Sequence, residues 1–255
     1  MPITAVILAG GKSSRMGRDK AFLPFRGQPL IEHALQVVRE AGAAEVLISG
    51  RPEQDFSHYD CPVLLDLESD CGPLGGIERG LAVAAHPLVL ILAVDLPHMT
   101  PACVEWLCRR RRQEAEQGRA VERRHSCRPD TNAIPLADRN SDESRADVHA
   151  PVPDSQGSEP GLANSAQMEQ ESRLTSSATA ITGLIPVLRG QLEPLAACYP
   201  KAAHNIVSTL LRERCFAARE FAQRCLDAGL ARGLDVPAEH QSCFANWNTP
   251  EDILS

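Results

Sequence analysis

Residues 1–20 read MPITAVILAGGKSSRMGRDK, and the fold is decided within them. Residues 3–9 (ITAVILA) are a continuous β-branched and aliphatic run closed by Gly10-Gly11, the pattern of a strand buried on both faces. A strand that runs into paired glycines lets backbone N–H groups approach an anion closely, because no Cβ stands in the way. The cations that follow, Lys12, Arg15, Arg18 and Lys20, include side chains long enough to reach a polyphosphate. Charge alone describes a solvated basic turn equally well. Spacing excludes two familiar phosphate loops. The dinucleotide fingerprint requires G-x-G-x-x-G, whereas Gly10 and Gly11 adjoin and the next glycine is Gly17. The P-loop requires a glycine five positions before Gly11-Lys12-Ser13, and Val6 stands there.

Outward from this stretch, strand and helix patterns alternate. Residues 30–41 place Leu30, Ile31, Ala34, Leu35, Val37 and Val38 at helical spacing, and Gly42 ends the helix. Residues 44–50 and 63–66 read as strands, 74–86 as a helix, 87–97 as an apolar strand ending in an acid, and 101–118 as a helix. This alternation implies βαβ units and a mostly parallel sheet with helices on both faces. Residues 120–182 contain no Phe, Tyr or Trp and show no periodicity, so a disordered polar insertion within a single domain is expected there. Order is expected to resume as a two-stranded hairpin over 183–200 around Arg189-Gly190. Helices are expected near 201–212 and 215–229, and a last one beginning at Asn248 or Thr249.

The net charge of −7 argues against a nucleic acid as principal partner, since such binders carry a basic excess. No run approaches the roughly 20 apolar residues of a membrane helix, and the N-terminus lacks a secretory pattern; no membrane association and a cytoplasmic location are therefore expected. The nine cysteines are odd in number and form no C-x-x-C pair, so they are read as reduced, small apolar residues rather than as a metal or disulfide framework. The eight histidines match no metal-binding spacing, and Arg109–Arg112 reads as a solvated helix end.

Asp95 ends an apolar strand and precedes Leu96-Pro97. Ligands of open α/β sheets bind outside the carboxyl ends of the strands. An acid there, beside a phosphate loop, suits Mg²⁺, which takes one or two carboxylates plus ligand phosphates; capping of the following helix is the plain alternative. Asp66 also ends a strand, as a base or ribose recogniser or as a turn acid.

Four segments taken together, LAGGKSSRMGRDK (8–20), GPLGGI (72–77), VDLP (94–97) and NWNTPED (246–252), resemble the MobA-like nucleotidyltransferases. The resemblance implies a Rossmann-like three-layer α/β/α sandwich of the nucleotide-diphospho-sugar transferase type. It also implies transfer of GMP from GTP to the terminal phosphate of molybdopterin, with release of pyrophosphate and with Mg²⁺ as cofactor. Its implied partners are GTP, the pterin cofactor and, transiently, proteins that make or receive that cofactor. Leu8, Ala9, Gly10 and Gly11 fall at the family's nucleotide loop, Arg15 and Lys20 at its triphosphate-binding cations, and Asp66 at a guanine-nucleotide contact. Asp95 falls at the ligand of Mg²⁺ and nucleotide, and Asn246 and Asn248 at the substrate-binding N-x-N. A further guanine-contact Asn of relatives falls around Ser49-Gly50 here. Gly10-Gly11 and Asp19-Lys20 favour guanine, since cytidine-using relatives tend to carry Ala-Gly and Pro-Lys. The competing readings are a cytidylyltransferase for the same pterin, another small-acceptor nucleotidyltransferase, and a non-catalytic nucleotide-binding module; pyrophosphate release separates the last from the rest.

Overall fold

The computed structural model describes residues 2–10, 19–65, 71–108 and 182–247. These all belong to one compact unit, Met1–Gly118 with Ala180–Ser255. The expected insertion falls outside the described residues, apart from Thr182, as do the basic run from Arg109 and the expected C-terminal helix.

The first strand, β1 (Thr4–Leu8), is buried along its whole length. It lies between β4 (Glu45–Gly50) and β6 (Leu88–Ala93), parallel to both. Ala5 and Ile7 face one core, whereas Val6 and Leu8 face the other. Two apolar faces explain why the sequence shows an unbroken aliphatic run rather than alternation. The sheet order is β10-β7-β9-β6-β1-β4-β5, with β8 on β7. Here β5 is Val63–Leu65, β7 Gly183–Leu188, β8 Gln191–Leu192, β9 Ala196–Pro200 and β10 Ala231–Asp235. A separate two-stranded ribbon, β2 (Pro24–Phe25) with β3 (Gln28–Pro29), follows a 3-10 turn at Lys20–Phe22.

Helix α1 (Leu30–Glu40) covers one face of the sheet. It ends as the sequence requires. Gly42, at φ 83°, lets Ala43 N–H reach Val38 O and its own N–H reach Arg39 O, the paired bonds of a glycine-terminated helix. Helix α2 (Pro73–Val83), α4 (His204–Arg212) and α5 (Ala218–Asp227) cover the other face. Helix α3, residues 101–108, begins at Pro101 behind Thr100, whose hydroxyl accepts from Cys103 N–H at 3.2 Å. The three layers and mostly parallel sheet agree with expectation.

Four boundaries depart from it. Helix α2 stops at Val83 because Ala85 N–H is taken by Glu45 Oε2 at 2.8 Å and His86 N–H by Thr4 Oγ1 at 3.2 Å. Strand β6 stops at Ala93, leaving Asp95 beyond its end. The expected hairpin over 183–200 has a third strand: β9 passes between β7 and β6, antiparallel to both. Finally, β10 and the 3-10 helix Ala238–Phe244 have no counterpart in the periodicity.

Helix α2 approaches the sheet closely through glycines. A Cβ on Gly80 would come within 2.8 Å of Val6 Cγ2, and one on Gly76 within 2.8 Å of Leu8 Cδ2 and 3.0 Å of Ser49 Cβ. Overpacking of this kind costs about 1–3 kcal/mol, set against about 1 kcal/mol of helix propensity gained by Gly→Ala. Gly76→Ala is therefore expected to be net destabilising by about 1 kcal/mol, seen as a lower urea midpoint. Because its contacts are Leu8 and Ser49, nucleotide binding should weaken along with stability.

Candidate active site

Strands β1, β4 and β6 run parallel, so the chain leaves all three at the same edge of the sheet. Successive connections through α1 and α2 lead to opposite sides of β1, which makes the β1–β6 boundary the switch point where open α/β sheets bind ligands. Lys20 and Asp95 meet there. Lys20 Nζ lies 3.3 Å from Asp95 Oδ2 and donates to Trp247 O at 2.7 Å. Trp247 N–H in turn donates to Asp95 O at 2.9 Å. One ammonium and one backbone pair thus join three sequence segments, the outer two 227 residues apart. Both charged side chains stay partly open to solvent, at 20% and 25%, so an incoming ligand can compete for them.

The loop after β1 stands on a polar pedestal. Ala9 and Gly10 N–H both donate to Ser49 O, at 2.8 and 3.2 Å, and Val94 N–H donates to Leu8 O. The N–H groups of Ala9 and Gly10 are therefore engaged with β4 rather than presented to an anion. Gln54 Nε2 donates to Ala9 O at 2.9 Å and to Asp19 Oδ2 at 2.7 Å, and Arg51 also donates to Asp19 Oδ2, at 3.1 Å. Asp19 further caps the turn carrying Lys20 through Ala21 N–H. Asp19, Arg51, Gln54 and Ser49 fix where the loop leaves and where it returns. Sequence reasoning assigned none of them this work, and only the polar RPEQD stretch after β4 hinted at it. Gly50 leaves no room for a side chain: its Cβ would meet Phe56 Cε2 at 2.5 Å.

Beneath Lys20 and Asp95 the aromatic rings interlock. Phe25 is edge-on to Trp247 (5.4 Å, 83°), to His98 (5.8 Å, 87°) and to His33 (5.1 Å, 64°). Edge-to-face contacts of this kind add about 0.5–1.5 kcal/mol each to the burial of the rings. They tie together the ribbon after Lys20, the turn after Asp95 and the C-terminal segment. His33 Nε2 bonds Met99 O at 3.2 Å. Burial lowers its pKa below the ordinary histidine value of 6.5, outweighing the carbonyl of Met99, which raises it. The neutral ring is the folded form, so His33 contributes stability above pH 6.5 that is lost as the pH falls through its lowered folded value. Between pH 7 and 5 the melting temperature should therefore fall more for this protein than for His33→Asn, as thermal scans at both values would show.

The structure brings Lys20, Asp95 and the Trp247 carbonyl together beside Leu8, Ala9 and Gly10. Asn246 is exposed next to buried Trp247. Gly11, Arg15, Asp66 and Asn248 lie outside the described residues. Among the described residues no helix is long and apolar enough to cross a membrane.

A three-layer α/β/α sandwich with an acid and a lysine facing one another at its switch point is built to hold a charged ligand such as a nucleotide. The chain belongs to the MobA-like NTP transferase family, whose domain it matches over residues 5–232. Among curated proteins it is 45% identical over 103 residues to a molybdenum cofactor guanylyltransferase of Xanthomonas euvesicatoria, covering 40% of this chain and 51% of that one. It is 41% identical over 110 residues to the protein of the same name from Pseudomonas putida, covering 42% and 58%. The chain thus spans about half the length of the curated relatives it matches. Among solved structures it superposes on molybdopterin-guanine dinucleotide biosynthesis protein A of Archaeoglobus fulgidus with TM-score 0.59 at 17% identity, covering 98% and 95%. It also superposes on 2-C-methyl-D-erythritol 4-phosphate cytidylyltransferase of Thermus thermophilus with TM-score 0.53 at 16% identity, covering 98% and 94%. These two likenesses show the shared fold. Nucleotidyltransferases of this type typically use a divalent metal.

Proposed function

We propose that this chain transfers GMP from GTP to the terminal phosphate of molybdopterin, releasing pyrophosphate and forming the guanine dinucleotide cofactor. The observation that carries the reading is the meeting of Lys20, Asp95 and Trp247 at the switch point, which joins the nucleotide-loop, VDLP and N-x-N segments. The names of the curated relatives support guanine as the base and the molybdenum cofactor as acceptor. A cytoplasmic location belongs to the same reading.

Asp95 offers a hard carboxylate oxygen just beyond the end of β6, the donor Mg²⁺ accepts alongside ligand phosphates. When bound, Mg²⁺ would supply charge neutralisation across the triphosphate. Lys20, with Arg15, neutralises the charge that develops on departing pyrophosphate. Leu8 to Gly11 seat the nucleotide, Asp66 contacts guanine, and Asn246 with Asn248 orient the pterin acceptor. The acceptor phosphate is already an anion, so in-line attack on the α-phosphorus requires no protein nucleophile or general base; positioning and electrostatics supply the rate. Proteins that make or receive the cofactor would meet this edge transiently.

The test is pyrophosphate release with Mg²⁺ and each of the four NTPs, with and without molybdopterin. GTP-selective, pterin-dependent release is expected. Release with CTP would make the chain a cytidylyltransferase, and GTP binding without release would make it a non-catalytic module.

A further inference from the structure

On the face of the sheet covered by α1, three metal-ligating side chains converge away from Asp95. Cys103 comes from α3, whereas His240 and Cys243 come from the 3-10 helix Ala238–Phe244, and their ligand atoms all lie within 4.8 Å of one another. Cys103 is fully buried, Cys243 is 5% exposed and His240 is partly exposed. We infer that Cys103, His240 and Cys243 form a binding site for a thiophilic divalent cation of the Zn²⁺ type.

Three observations support a ligand rather than mere packing of small thiols. Two sulfurs and one imidazole are a donor set suited to Zn²⁺. Tetrahedral Zn²⁺, with Zn–S of about 2.3 Å and Zn–N of about 2.0–2.1 Å, needs donors roughly 3.5–3.8 Å apart, so side-chain adjustment of about 1 Å closes the set. A cavity of about 430 Å³ opens on the same spot, walled by His240, Cys243, Thr100, His98 and His33. The cavity reaches His240 and Cys243, so water or a small ligand within it would be the fourth donor. The surroundings also hold the donors in place: Thr100 Oγ1 lies 3.8 Å from Cys243 Sγ, and the ring of Trp106 lies 5.1 Å from that of His240. Outer-shell partners of this kind orient metal ligands.

The consequence reaches the candidate active site through the chain. Cys243 lies four residues before Trp247, and Cys103 lies on the helix that follows Asp95-Leu96-Pro97. A cation bound between them pins the two segments that Lys20 joins at the other end.

The experiment uses the full chain, reduced and stripped of metal, titrated with Zn²⁺ against a chromophoric chelator and separately with Co²⁺. One Zn²⁺ per chain and a thiolate-to-Co²⁺ charge-transfer band are expected. His240→Ala and Cys243→Ser should each weaken Zn²⁺ binding by at least about 100-fold and lose the band, and circular dichroism confirms that each variant is folded. His240 is partly exposed, so its variant tests the site even where a cysteine variant fails to fold. Cys127→Ser should bind as the parent does. The proposal is overturned by absence of the band in the parent chain, or by a band that survives both His240→Ala and Cys243→Ser.

Discussion

On the proposed function, replacing Asp95 with alanine is expected to lower GTP-dependent pyrophosphate release by about 10²–10³-fold, the cost of removing one charge-stabilising group from a site proposed to work by electrostatics. The fold should remain. The Asp95 side chain is a quarter exposed and its pair with Lys20 is 3.3 Å long; partly exposed pairs of this kind contribute about 0–1 kcal/mol. The C-terminal segment is held at this point by the Asp95 backbone carbonyl, which the substitution leaves in place. A loss of rate with an unchanged melting temperature is therefore the expected result. Asp95→Asn keeps the shape without the charge and should lose nearly as much. An unreduced rate in either variant removes Asp95 from the mechanism.

Lys20→Met should reduce kcat/KM for GTP by at least about 100-fold and also raise KM for the acceptor. The double effect follows from two of its contacts: the ammonium faces Asp95 and also holds the Trp247 carbonyl at 2.7 Å. Loss of the second bond loosens the segment that carries Asn246, which keeps the bond from Trp247 N–H to Asp95 O and the packing of Trp247 on Phe25. In a Trp106→Phe background, the emission of buried Trp247 reports that release as a red shift. Lys20→Arg restores the charge but presents it as a planar fork rather than a compact ammonium, so partial recovery of GTP affinity without recovery of acceptor KM is expected. A variant that lost GTP affinity alone, with no red shift, would confine Lys20 to the triphosphate.

Much of the fold was legible because its signals are local. An aliphatic run such as Ile3–Ala9 must be buried on both faces, and a glycine such as Gly42 ends its helix whatever surrounds it. The elements that were missed lack such signals. Strand β10 (ARGLD) lies at the sheet edge with only Ala231 buried, so no alternation marks it. Strand β9 looks like the second arm of a hairpin, and only its insertion between β6 and β7 reveals a third strand. The early end of α2 depends on Thr4 and Glu45, remote residues that capture Ala85 and His86 N–H.

For the candidate site the division is similar. Lys20 and Asp95 stand out by motif, but the pedestal of Asp19, Arg51, Gln54 and Ser49 joins stretches that no spacing rule connects. Likewise, Cys103 and Cys243 read as isolated small apolar residues until their helices meet. By itself, the sequence determined the three-layer α/β/α class, the family and the identity of the charged pair, because periodicity and motif are properties of neighbouring residues. Tertiary structure alone decided that the N–H groups of Ala9 and Gly10 serve Ser49, that the Trp247 carbonyl holds Lys20, and that two distant thiols come within 4.8 Å of one imidazole. Each of these depends on how the chain closes over tens to hundreds of residues, and burial and hydrogen-bond satisfaction in the folded molecule select those meetings.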